Sequence, residues 1–446
     1  MLKHKIVTGL GFGDEGKGTV VDALCARSDY GYVVRYSGGP QAAHNVVDDQ
    51  GRHHTFAQFG SGTLSYTPTI LSRFMMVNPE NLRREAVHLS WLMGCDIRDL
   101  YANLHISENS LLITPYHIAV NKAVEKARGG NAHGSCAQGV GFAMEYSLLK
   151  RERAPRMGHL KEGWKSLAFK MIELQCYVMD TYGIKLDLDP LKVAYDFCQD
   201  MVADRVVSDF DIRDKISNNP CVFEGSQGVL LDQWNGFHPH TTWSTTTDYN
   251  AQKLLAEAGV PSSLIEVVGV IRSYGTRHGA GPFPTELKAG GLYDYLMSQE
   301  KHNKAEEFQG NWRVGAFDIP LLEYAISCMH RAPDFLAMTF LDLEEPLVCV
   351  NRHKPTVVLP HVNTVMTDND LVSRERKFTR PLMGLSFDPK TSYVNQGKVD
   401  NIVHSVEEFT KIPVWIKSYG PGRLDKRFSS RVDSGHAQVE EQMELR

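Results

Sequence analysis

The sequence has no pair of cysteines spaced C-x-x-C, no apolar run approaching the length of a membrane span, and no surplus of positive charge. Each absence removes a class of protein. The eight cysteines (Cys25, Cys95, Cys136, Cys176, Cys198, Cys221, Cys328 and Cys349) stand singly, which argues against a zinc site and a disulfide framework. Most are expected to be small buried apolar residues. A formal net charge of −5 supplies no bulk basic field, so neither nucleic acid nor an anionic membrane is an expected partner. Any phosphate must be gripped locally, which suits small nucleotides better than polymers. The opening MLKHKIVTGL is too weakly apolar for a signal peptide, and the cytoplasm is the expected location. Repeats, low-complexity tracts and evident linkers are also missing. The 446 residues, 42% of them apolar, are therefore expected to form one large domain spanning 1–446.

One further absence is a single atom group. In GLGFGDEGKGTVVD, Gly9 to Asp22, residues Gly11, Gly16 and Lys17 satisfy the G-x-x-x-x-G-K spacing of a phosphate-binding loop. The next position, where a Ser or Thr hydroxyl would hold magnesium, is Gly18, and an acidic pair, Asp14 and Glu15, sits inside the loop. Lys5 to Gly9 reads as a short buried strand and Gly16 to Arg27 as a helix, so the loop lies at a helix N-terminus, where backbone N–H groups favour anions.

Further strands are expected at Tyr32–Tyr36, Cys221–Gly225, Ile265–Ile271, Phe335–Leu343 and Val414–Gly420, with a largely helical region from Leu82 to Tyr182 broken by the glycine-rich Gly129–Gly141. This alternation implies an α/β fold around a mostly parallel central sheet, with long functional loops and a nucleotide site like that of P-loop NTPases.

The wider motifs are sharper than the loop alone. GDEGKG (Gly13–Gly18), RYSGGPQAAHNV (Arg35–Val46), FEGSQGVLLD (Phe223–Asp232), GTRHGAGPFPTEL (Gly275–Leu287) and SYGPGR (Ser418–Arg423), in this order, resemble the adenylosuccinate synthetase family across most of the chain. The resemblance implies a GTP-dependent ligase that couples L-aspartate to inosine monophosphate (IMP), with Mg²⁺ as its metal and a homodimer as its assembly. It also explains the unusual loop. A 6-oxo group cannot leave as oxide and must first become a phosphate, and the ring oxygen is nucleophilic only when N1 loses its proton.

By the same resemblance, Asp14 is the base and a metal ligand, with the Ala43 carbonyl as a second. Lys17 neutralises phosphate charge, and His44 is the general acid. Gly13, Glu15, Gly16 and Gly18 line the nucleotide phosphates. Gln41 and Gln227 face the inosinate, Thr242 lies near its phosphate, and Ser135 and Cys136 occupy the family's paired-threonine positions. Arg151, or Arg153 one step on, matches the arginine that crosses the dimer interface. For the nucleoside triphosphate, Asp342 accepts from guanine N1 and N2, and Ser418, Gly420 and Pro421 match the last guanine loop. Phe340 replaces the family's lysine there and is expected either to stack on the base or to be a core residue.

The largest departure concerns the amine. The family's arginine-rich aspartate loop corresponds to Glu307-Phe308-Gln309-Gly310-Asn311-Trp312-Arg313-Val314-Gly315, in which Arg313 alone remains cationic. Two carboxylates call for several charge-assisted donors, so a less acidic or more apolar amine is an alternative. Gln41 and Cys136 raise a second, GMP or its deoxy form as acceptor. A third reading, from another class, is a nucleotide-binding regulator without catalysis. An ordinary GTPase switch is disfavoured by the missing hydroxyl.

Overall fold

Strand β1 (His4–Gly9) is buried at every position because it lies in the middle of a sheet covered on both faces. Its neighbours, Cys221–Gly228 and Ile265–Arg272, both run parallel to it. Such strands are rich in β-branched residues on both faces, as HKIVTG and IEVVGVIR are. The computed structural model describes residues 2–128, 137–185, 195, 202–300, 311–345, 347–352, 373, 375–385, 393–397, 399–429 and 440–442.

Among the described residues the central sheet has 11 strands. From one edge they are Glu440–Gln442, Lys426–Ser429, Val414–Ser418, Phe335–Thr339, Ile265–Arg272, β1, Cys221–Gly228, β2 (Tyr32–Arg35), Thr69–Leu71, Leu104–Ser107 and Val206–Val207. The first two joins are antiparallel and all the others parallel. Successive side chains of β1 point to opposite faces. Ile6 enters a core with Val34, Phe223 and Val267, whereas Val7 packs with Val20, Val21 and Leu24 of helix α1 (Lys17–Arg27). A third apolar cluster joins the sheet edge to the helices Pro79–Met93, Val140–Lys150 and Trp164–Tyr182.

The expected elements are present with shifted ends. The strand at Cys221 runs on to Gly228, and the one at Phe335 stops at Thr339 because Phe340 turns to φ 59°, which strand pairing does not accommodate. Within the stretch expected to be largely helical, Leu104–Ser107 forms a strand. Its pattern LHIS is too short to compete with the helical periodicity around it. Ser135, Cys136 and the amine-loop residues Glu307 to Gly310 lie outside the described residues.

Candidate active site

The loop between β1 and α1 is folded around the carboxylate of Glu15. Its Oε1 accepts from the Gly11 and Gly13 amides at 2.9 and 2.8 Å, and its Oε2 receives Lys17 Nζ at 2.6 Å. Both side chains of the Lys17–Glu15 pair are almost fully buried. A Cβ on Gly9 would lie 2.2 Å from Glu15 Oε2, so glycine is required for this acid to lie under the loop. The Glu15 side chain is thus turned inward, and Lys17 is held at the helix N-terminus. Gly13 and Gly16 adopt positive φ (93° and 87°), which lets the amides turn toward one centre.

Gly18 supplies the reason for the missing hydroxyl. A Cβ there would stand 2.6 Å from the His44 Cβ and 3.0 Å from Ser61 Oγ. The space of the P-loop Ser or Thr side chain is occupied by His44, which opens the short strand His44–Val47. His44 is buried, and its Nδ1 lies 2.5 Å from Glu224 Oε1. Glu224 also accepts the Ser61 amide at 3.0 Å and the Ser61 hydroxyl. Burial raises the Glu224 carboxyl, but the nearby Arg35 charge and the hydrogen bonds from His44 and Ser61 outweigh it and hold the group well below the ordinary carboxylate range. Burial lowers His44 and outweighs the raising effect of the Glu224 charge and hydrogen bond, with Arg35 and Lys17 adding to the lowering. The resting arrangement is therefore an ionised Glu224 accepting the Nδ1–H of a neutral imidazole, leaving Nε2 as the free nitrogen. Sequence reading passed over Glu224; its signal was an acid inside the apolar strand CVFEG.

Asp14 stands at φ 61° beside this centre with its side chain 32% exposed. Its carbonyl accepts from Arg272 at 3.3 Å, while its carboxylate lies 3.6 Å from His278 Nε2, too far for a hydrogen bond. Both carboxylate oxygens thus remain available to a hard cation or to a ring N–H, and the nearby Ala43 is exposed. On the other side, the side-chain amides of Gln41 (both atoms) and Gln227 (Oε1) are buried without partners. Gln227 is held at φ 53°, its Cα 3.9 Å from where a Gly13 Cβ would be. Buried amides in this state are complementary to a ligand that supplies both donors and acceptors, as a 6-oxopurine does. Thr242 is fixed through its amide to the Leu231 carbonyl at 2.8 Å.

The residues read as guanine contacts converge on the same loop. Thr339 Oγ1 donates to the Glu15 carbonyl at 2.7 Å, the Leu341 amide to the Ser418 carbonyl at 2.9 Å, and Thr19 Oγ1 to the Pro421 carbonyl at 3.4 Å. Asp342 is exposed beside them. Beneath, Lys426 is fully buried and donates to the carbonyls of Gly420 and Gly422 at 2.9 and 2.7 Å; burial brings its ammonium down to about 8. Phe340 packs under the Arg272 guanidinium, 3.5 Å from the ring centroid, so one of its faces is already covered. Neither Lys426 nor Arg272 was legible as a site residue.

The other predicted arginines are placed less directly. Arg313 is clamped by Glu286, at 2.8 and 2.5 Å, and donates to the Gly279 and Gly281 carbonyls at 2.9 and 3.0 Å. Every nitrogen of its guanidinium is engaged. Arg151 lies exposed at the end of helix Val140–Lys150, and the exposed Arg153 is 3.5 Å from Glu173. Among the described residues no group of three or more His, Cys, Asp or Glu side chains is arranged as a metal site, and no helix is long and apolar enough to cross a membrane.

The profile of the adenylosuccinate synthetase family matches residues 6–426. The adenylosuccinate synthetase of Proteus mirabilis is 32% identical over 449 residues, covering 95% of this chain and 98% of that one. That of Vibrio cholerae is also 32% identical, with 95% and 97% covered. Among solved structures, the fully ligated adenylosuccinate synthetase from Plasmodium falciparum superposes with TM-score 0.77 at 21% identity, covering 95% of this chain and 99% of that one. The succinoaminodeoxyadenylate synthetase of cyanophage S-2L, bound to dGMP and dATP, gives TM-score 0.60 at 17% identity with 96% of each covered. The last two share the fold. With the profile spanning nearly the whole length and the bacterial relatives aligned end to end, this chain belongs to the adenylosuccinate synthetase family.

Proposed function

We propose that the protein is a GTP-dependent carbon–nitrogen ligase of purine biosynthesis that joins L-aspartate to IMP and releases adenylosuccinate, acting as one domain. The observation that carries this reading is the replacement of the P-loop hydroxyl by His44, which sets a proton-transfer residue where a simple GTPase keeps a metal ligand. In this scheme the Asp14 carboxylate takes the N1 proton of IMP, and O6 attacks the γ-phosphorus as its bond to GDP breaks. Lys17 and the Gly16 and Gly18 amides balance the phosphate charge, and His44, once protonated beside Glu224, donates from Nε2 to the phosphoryl oxygens. The amine nitrogen then attacks C6, and inorganic phosphate leaves.

Mg²⁺ fits the open oxygens of Asp14 and the exposed Ala43 carbonyl, and when bound it supplies charge neutralisation at the phosphates. Gln41, Gln227 and Thr242 hold the inosinate, and Asp342, Ser418, Gly420 and Pro421 the guanine. A homodimer is part of the proposal. Leu148, Leu149, Phe169, Ile172 and Met179 are exposed apolar residues on the two helices that flank Arg151, as expected if a second copy covers them. The cytoplasm is the proposed location.

A second reading, in which another amine replaces aspartate, is favoured by one specific fact: four of the five Arg313 N–H groups are engaged by Glu286 and backbone carbonyls. Product analysis by mass spectrometry separates the readings. Incubation with IMP, GTP, Mg²⁺ and L-aspartate is expected to yield adenylosuccinate. A new N6-substituted purine formed only from a mixed amine pool would support the second reading, and GMP consumed in preference to IMP would redefine the acceptor. Failure to form any product from any acceptor would leave the non-catalytic regulator.

A further inference from the structure

His44 stands on a short antiparallel ribbon, in which His44–Val47 pairs with His53–Phe56 as a two-stranded sheet of its own. The register sets His44 opposite Phe56 and Val46 opposite His54. These four residues are buried while Asn45, His53 and Thr55 are exposed, so His44 and His54 lie on one face, one residue pair apart. A ribbon of two strands is marginal alone and takes its position from what it packs on.

Helix Pro79–Met93 supplies that packing. Val46 and Phe56 join its Leu82, Ala86 and Leu89 in one apolar cluster. Apolar contact is non-directional and does not fix how far the ribbon slides. Two polar residues three apart on the helix, and so on one side of it, add direction. Glu85 accepts the amides of Ala57, Gln58 and Phe59, just past the ribbon, at 2.9, 2.9 and 3.2 Å. His88 Nδ1 lies 2.7 Å from His54 Nδ1, an N–H···N bond in which one ring donates and the other accepts. The two rings stack with centroids 4.9 Å apart, and His54 meets the Phe56 ring edge to face at 4.5 Å. His54 is 4% exposed, whereas His88 is at the surface. An apolar side chain in place of His88 would leave the buried His54 Nδ1 unpaired, which is costly.

We infer that His88 is a positioning residue for phosphoryl transfer: through its bond to His54 it holds the ribbon at the setting in which His44 Nδ1 meets Glu224. The link runs from the helix through the His54 and Phe56 rings to the strand partner of Phe56, which is His44. The inference rests on the ligase reading, in which His44 serves the phosphoryl group, but His54 and His88 lie outside the motifs that led to that reading.

The test is a pair of variants at an exposed helix position. His88→Leu deletes the hydrogen-bonding nitrogen, and His88→Asn places an amide where Nδ1 stood. Positional isotope exchange in GTP, run with IMP, Mg²⁺ and no amine, reads the phosphoryl step alone. Its rate is expected to fall about 3- to 10-fold in His88→Leu, the span of one neutral hydrogen bond, and to return to within about twofold of the parent in His88→Asn. The KM values for GTP and IMP should stay within about twofold in both variants, and Tm within about two degrees. A parental exchange rate in His88→Leu would overturn the inference and leave the ligase reading standing. So would a loss that His88→Asn does not restore, or one that comes with a Tm lowered by many degrees, since either marks a contact serving stability alone. No IMP-dependent exchange in the unmodified protein would overturn the ligase reading and this inference with it.

Discussion

His44 Nδ1 lies 2.5 Å from Glu224 Oε1, across 180 residues of sequence, in a buried pair that includes the Ser61 amide and hydroxyl. This contact fixes the tautomer and leaves Nε2 as the free nitrogen. Glu224→Gln, which preserves shape while removing the charge that supports an imidazolium, is expected to lower kcat by about 10²- to 10³-fold. KM values for GTP and IMP should change little. Steady-state GDP release measures both, and a kcat within threefold of the parent would show that the pair only packs.

Asp14→Asn keeps the left-handed backbone accessible, since Asn tolerates it, and deletes both the base and an anionic metal ligand. Phosphoryl transfer should fall below detection while IMP binding, followed by calorimetry, stays within severalfold. Turnover at the parental rate would overturn the mechanism.

Lys426 offers a pH test with a definite sign. Its folded value of about 8 lies below the ordinary 10.5 because burial disfavours the ammonium. Between those values the unfolded chain binds the extra proton, so this group's contribution to stability rises with pH from about 8 to 10.5. Thermal melts across that window should show Lys426→Met losing the upward term. The same variant should raise the KM for GTP more than that for IMP, because the Gly420 and Gly422 carbonyls lose their shared donor.

Arg313 is expected to act through the fold. Arg313→Ala leaves Glu286 without its bidentate partner and two carbonyls without donors, so Tm should drop by several degrees. Catalysis of the surviving folded fraction should remain within about threefold, since four of the five Arg313 N–H groups are already engaged by Glu286 and backbone carbonyls. A large rise in aspartate KM at unchanged Tm would return this arginine to the substrate.

Phe169→Glu places a charge in the exposed apolar stripe of helix Trp164–Tyr182. Light scattering should show a dimer for the parent and a monomer for the variant, with activity falling if Arg151 acts on the partner's site. A monomeric parent with full activity would remove the homodimer.

Much was legible because the phosphate loop is local in sequence. Gly11, Gly16 and Lys17 lie within one strand-to-helix turn, and the parallel sheet follows from β-branched runs alternating with helices. Gln41 and His44 sit in a compact motif as well. Glu224, Ser61 and His44 come from separate segments, so no spacing rule connects them, and only their shared burial makes one hydrogen-bonded unit, with the Arg35 charge nearby.

The amine side divides in the same way. From the sequence it followed that the arginine-rich pattern was gone and that Arg313 remained. Where that arginine points was set by the hairpin register, which pairs Arg277 with Arg313 and His278 with Trp312 and seats Glu286 against the guanidinium. The order of residues thus determined the family, the sheet and the phosphate loop, since these depend on short-range periodicity and glycine geometry. Which polar groups are satisfied and which are left for a ligand was decided only by the tertiary structure. That depends on partners brought together from distant parts of the chain, and on which water-exposed groups folding leaves dry.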